Sequence, residues 1–187
     1  MAGGAIVAIA ASDIKFYLSE KVSGNGFTTG GTPAASLGKN ISTTEITDNT
    51  LNNLFDDVSG DENAASDVEY RCIFVLNGHA TLTWEGVKVW LSAEVADGAS
   101  IEIAIDDIAD SAKADTNDQA DTIADESTAP GAGVGAFSAP VTKGAGLSLG
   151  DIAPGYCRAI WIKRTAANNA AKDNDGVTIS VEGDTAA

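Results

Sequence analysis

The sequence predicts a mainly β protein, an antiparallel β-sandwich. Three observations lead there. Short runs rich in Val and Ile alternate with turn residues, no stretch carries a sustained helical period, and Gly, Ala, Ser, Thr, Asn and Asp are abundant while Met and Pro are scarce. The chain has 187 residues, of which 44% are apolar, enough for one sizeable domain with a buried core.

The strands follow in order. "DIKFYLSEK" (13–21) alternates like a strand, then "SGNGFTTGGTPAAS" reads as loop, and "TTEITDNTLNNLF" is given a short helical turn or an extended path. With so little periodicity, residues 1–65 read as an extended N-terminal arm or irregular docking segment, and residues 66–187 as the sandwich domain. "VEYRCIFVLN" is a strand with two apolar faces: Tyr70, Cys72, Phe74 and Leu76 on one, Arg71, Ile73 and Val75 on the other. "ATLTWEGVKVWLSAEV" gives two short strands or one strand bulged at Gly86. In "SIEIAID", Ile101, Ile103 and Ile105 point inward, Glu102 and Ala104 outward. Residues 106–135 form an acidic, Ala/Gly-rich insertion expected to lie in solvent. "GLSLGDIAPG", "YCRAIWIKRT" and "VTISVEG" supply the last strands. Six or seven short strands separated by turn signals fit an immunoglobulin-like or jelly-roll-like sandwich.

Charge narrows the function. The 27 acidic and 11 basic residues leave a formal net charge of −16, which repels phosphate backbones and anionic membranes. Neither nucleic acid nor membrane is therefore an expected partner. The apolar start "MAGGAIVAIAAS" lacks a basic flank and is short for a bilayer span, so it reads as a first strand or a docking arm of a chain made in a cytoplasm.

Catalytic and metal chemistry find little support in the residue pattern. The single histidine, His79, lies in the turn "NGHATL" with no nucleophile motif beside it, so no catalytic residue, no cofactor and no enzyme activity are expected. "AKDNDGVTISVE" can be laid on a calcium-loop pattern, with Asp173, Asp175 and Glu182 as oxygen ligands and Gly176 in the glycine place. Ala171 occupies the first ligand place, however, and Asp175-Gly176 is a good hairpin turn. "DTNDQADTIADE" offers a second oxygen-rich loop but lacks the glycine. Both read as solvated acidic loops, with no metal bound.

Cys72, Trp84 or Trp90, and Cys157 come in the order of an immunoglobulin cross-sheet bridge. In a reducing compartment they read instead as free thiols facing each other across the sandwich. The tryptophans, Trp161 included, read as core or interface residues rather than a sugar platform. Arg158, Lys163 and Arg164 form nearly the only basic cluster, a candidate contact for an acidic partner. "NNLFDDVSGDE" is read as Leu54 and Phe55 anchored in a core or subunit contact, while Asp56, Asp57, Asp61 and Glu62 stay wet around a Ser59-Gly60 turn.

Seven stretches taken together carry a resemblance: "DIKFYLS", "SLGKNIS", "NLFDDVSGDE", "EYRCIFVLN", "GLSLGDIAPG", "AIWIKRT" and "DNDGVTISVEGD". They resemble a family of virion structural proteins of tailed bacteriophages and prophages, across Asp13 to Asp184. Within it the resemblance implies a head decoration, or cement, protein on the outer surface of the phage head. The partners implied are the major capsid protein and further copies of this chain; cement proteins in general suggest a trimer. The alternatives are a tail, neck or spike component, or a carbohydrate-binding β-sandwich module. The insertion Asp106–Asp125 departs from the plainer members.

Overall fold

The structure is a computed structural model that describes residues 8–22, 24–95, 97–170 and 175–185. Two antiparallel sheets pack as a β-sandwich. The large sheet has the order β2 (Asn40–Glu45), β1 (Ile14–Glu20), β3 (Val68–Asn77), β8 (Tyr156–Thr165), β5 (Ser100–Ile105). A short β6 (Ser111–Ala112) pairs with the first residues of β8. The small sheet has the order β7 (Leu147–Ile152), β4 (Trp84–Glu94), β9 (Val177–Thr185).

The alternation in β3 and β8 feeds two cores rather than one. Ile73 and Val75, with Ile160 and Ile162, face the small sheet and meet Trp84, Val87, Val89, Leu91, Leu149 and Ile152. Cys72, Phe74 and Leu76, with Cys157, Ala159 and Trp161, face the opposite way. Ala120 and Ile123, with Phe27, Leu37, Val134 and Phe137, cover that second face. Both faces of the central strands are thus dry, which explains their continuous apolar runs.

The acidic insertion is therefore a third layer, not a solvated excursion. Its apolar residues turn inward while Asp107, Asp118 and Asp125 stay exposed. Backbone bonds stitch it down: Gln119 N–H and Ala120 N–H donate to Lys39 O at 2.7 and 3.0 Å, and Ile123 N–H donates to Leu37 O at 3.1 Å. The approach is so close at Gly38 (φ +93°) that a Cβ there would lie 1.8 Å from Asp121 O. Only glycine fits. Ala104, expected outward, is buried in this second core.

Residues 1–7, with the start of the apolar run "MAGGAIVAIAAS", lie outside the described residues; over the described part of 1–65 the expectation of an arm gives way. β1 pairs with β3 over five successive residues and contributes Tyr17 to the second core, and β2 contributes Ile41. The alternation of "DIKFYLSEK" marks β1 without revealing its place inside the large sheet; β2 stays hidden because it buries Asn40 and Ser42 beside Ile41. Gly86 does sit in a bulge, at φ +58° between shifted registers. One short helix, α1 (Gly60–Ala65), replaces the expected Ser59-Gly60 turn.

Phe74, fully buried between β3 and the third layer, tests that layer's weight. Phe74→Ala is expected to cost about 3 to 5 kcal/mol, read as a lower denaturant midpoint at unchanged slope.

Candidate functional site

Of the residues singled out from sequence, Leu54, Phe55 and Arg164 gather at one end of the sandwich, where the inner core gives way to charge, while Arg158 lies six residues away along β8. Glu69 and Arg71 continue the inward face of β3, and Arg164 continues that of β8, directly opposite Glu69. Arg164 Nε donates to Glu69 Oε2 at 2.7 Å, and its guanidinium also binds the Asp56 carbonyl oxygen. Arg71 pairs with Glu126 from the third layer. Phe55 lies against both cations, its ring centre 4.7 Å from Arg164 Cζ and 5.4 Å from Arg71 Cζ. Burial pushes the Glu69 carboxyl above its usual range, and the Arg164 guanidinium pulls it back.

This is a clasp, tying the segment after β2 and the third layer onto the sheet. Leu54 and Phe55 are half-buried against the inner core, as their candidacy for a core contact requires. The basic run is not an open patch. Arg164 is 7% exposed, Lys163 Nζ binds Glu102 at 2.6 Å, and Arg158 donates to the carbonyl of Ile108 at 2.9 Å. Each cation was visible in the sequence; its carboxylate or carbonyl partner, far away in the chain, was not.

Asp56 and Asp57 stay exposed, but Ser59 and Glu62 do more than stay wet. Ser59 Oγ accepts from Glu62 N–H while Glu62 Oε2 accepts from Ser59 N–H at 2.6 Å, a reciprocal cap for α1. The Ser-x-x-Glu spacing was the signal for this helix. The Ser59 amide holds the Glu62 carboxyl below its usual value.

A second buried acid organises the third layer. Asp106, wholly buried, accepts from Trp161 Nε1 at 2.9 Å, from Asp121 N–H at 2.9 Å and from Ile108 N–H at 3.0 Å. The position reads as one more loop acid in the sequence; only the location of Trp161 reveals it. Burial, with Asp106 and Asp107 nearby, pushes the Asp121 carboxyl up.

The calcium candidates do not converge in what is described. Asp173 lies outside the described residues. Asp175 Oδ2 accepts from Ala99 N–H at 2.6 Å, closing the turn before β5, and Glu182 pairs with Lys143 at 2.6 Å. Among the described residues no three His, Cys, Asp or Glu side chains are grouped to hold a metal ion. His79 is a turn residue whose Nδ1 accepts from Thr81 N–H and Leu82 N–H.

The cysteines are free, but they do not face each other across the sandwich. They sit on adjacent strands of one sheet, on one face, with Cys157 opposite Leu76 and Cys72 opposite Trp161. That offset of four residues separates them by roughly 13 Å along the strands, too far for a disulfide. Burial pushes the Cys157 thiol up to about 12 and raises Cys72 well above its ordinary value. Trp84 and Trp161 are core residues, whereas Trp90 lies half-buried on the outer face of the small sheet.

Among the described residues no helix is long and apolar enough to cross a membrane. Comparisons with protein-family models, with curated proteins and with solved structures found no match for this chain.

Two outcomes check the site. Asp106→Ala strands three donors in a dry layer and is expected to cost about 3 kcal/mol or more, with a red-shifted tryptophan emission as Trp161 loses its cover. The Glu62 carboxyl is depressed in the fold, so its contribution holds above the unfolded value of 4.5 and is lost as pH falls through the lower folded value. The Ser59 amide resonance is expected to move, and α1 to fray, below pH 4.5, with Glu62→Gln insensitive over that range.

Proposed function

We propose that this chain is a non-enzymatic structural component of a tailed-bacteriophage virion, a head decoration or cement protein bound to the outer shell. Its partners in this reading are the major capsid protein and further copies of itself. The observation that carries the reading is how the chain uses its ionisable residues. Arg71, Arg164, Glu69 and Asp106 all bind within the fold and tie its layers together. What remains outside is a strongly acidic surface, suited to keeping a crowded particle soluble.

The phage resemblance supports the same reading, because its segments fall on the framework. "DIKFYLS", "SLGKNIS", "EYRCIFVLN", "GLSLGDIAPG", "AIWIKRT" and "DNDGVTISVEGD" overlap β1, β2, β3, β7, β8 and β9. These are six of the strands that build the two sheets, so the likeness concerns the scaffold.

Purified heads and tails from a phage that encodes this chain provide the test. Mass spectrometry is expected to find it in heads, and cryo-electron microscopy to show its density on the outer capsid lattice. Confinement to tail or neck fractions would replace decoration with a tail role.

A further inference from the structure

The two sheets differ at their margins. Along β2 the outer edge of the large sheet is covered, with Phe27 N–H on Ile41 O at 2.8 Å and Thr43 N–H on Thr29 O at 2.9 Å. Along β5, Ser138 and Ile103 exchange two backbone bonds of 2.8 and 3.0 Å, and Gly135 N–H reaches Ile105 O. β9 pairs with β4 on one side only. Among the described residues, no backbone hydrogen bond reaches its other side.

The inner core also thins out there. Val87, Val89 and Leu91 of β4 are almost wholly buried, whereas Val177, Ile179 and Val181 of β9 are half-exposed. β7 is the small-sheet strand that touches β5 and β8, so β9 lies towards β1. On that side Ile14 and Phe16 of β1 are half-buried against the same core. An unpaired strand edge thus borders an apolar ledge that one more strand would cover, given the spacing of about 4.8 Å between neighbours.

The charge around the edge is acidic by a small excess, with Glu182, Asp184 and Glu85 against Lys88 and Lys143. Thr178, Ser180, Glu182 and Asp184 alternate on the outer face of β9, and Glu85 stands opposite Asp184 on β4. Lys88 and Lys143 are the cations beside them, and Lys143 is bound to Glu182.

We propose that β9 is a strand-addition edge for an extended segment of another protein, with apolar residues alternating with Lys or Arg. The apolar set would point inward over Ile14 and Phe16, and the cations outward towards Glu182 and Asp184, with main-chain bonds to β9 supplying the register. A second copy of this chain is the poorer guest, because each copy carries a net charge of −16 and would add acids to an acidic edge. The inference deepens the docking reading above and rests on it, the guest being an arm of the surface on which the protein sits.

Amide hydrogen exchange on the full chain tests it, using a short peptide of alternating Lys and Val as the probe. The peptide is expected to slow exchange of the β9 amides by about tenfold or more, less so at high salt. A Glu/Val peptide is expected to leave them unchanged. Glu182→Gln combined with Asp184→Asn changes only exposed side chains, loses one exposed ion pair to Lys143, and should abolish the protection with little change in melting temperature. The proposal is overturned by absent slowing at the β9 amides on the unpaired side, by slowing that persists in the double variant, or by those amides already exchanging in the free chain as slowly as the β9 amides bonded to β4. Concentration-dependent protection without peptide would assign the edge to a second copy and also overturn it. If the peptide fails while the chain is found on heads, the edge assignment falls and the docking reading stands. Absence from heads fells the docking reading by itself.

Discussion

The antiparallel pairing of β3 with β8 is the constraint on which the rest of the structure depends. Nine residue pairs run from Val68–Thr165 to Leu76–Cys157, and consecutive side chains along both strands enter opposite cores. A sheet dry on both faces needs cover on both faces. The small sheet supplies one cover, and the acidic insertion with the loop before β2 supplies the other. A slip of one residue in this pairing would send Arg71 and Glu69 towards the third layer and Cys72 towards the small sheet. The ionic clasp at one end, built on the Glu69–Arg164 pair, resists such a slip because it would part the buried carboxylate from the guanidinium directly opposite it.

Charge is divided between two uses. Among the buried ions, Glu69, Arg71 and Arg164 are paired and Asp106 accepts three N–H donors, as burial in a poorly polarisable interior demands. Asp106 draws together a tryptophan, a loop backbone and its own following turn. Most other acids stay at the surface, where mutual repulsion opposes non-specific association. The same surface therefore discriminates strongly by the sign of what approaches it.

Much of the framework was legible in the sequence because β-strands with alternating or doubly apolar patterns declare themselves locally. The spans of β3 and β8 follow the runs "VEYRCIFVLN" and "YCRAIWIKRT" residue for residue, and Gly86 marks its bulge. What was hidden depends on distant partners. β1 was legible as a strand, whereas β2 buries Asn40 and Ser42 and shows no strand pattern until Gly38 is seen packed beneath Asp121. The insertion reads as solvent because its apolar residues, Ala120 and Ile123, are sparse and lack a period. Its order comes from backbone bonds to residues 37–39, which no local pattern encodes. The site was legible as a set of charges and illegible as a set of bonds: Arg164 stood out, but its closure onto Asp56 and Phe55 spans most of the chain.

The stitching at Gly38 has a consequence for anyone who wishes to miniaturise the chain. A loop of thirty residues rich in Asp, Ala and Gly looks like dispensable ornament, the first place to cut. Excising residues 106–135 would strip Trp161, Phe74 and Ile41 of their roof and turn a sealed sheet into a sticky one. A shortened chain therefore has to keep this roof, whatever else it loses.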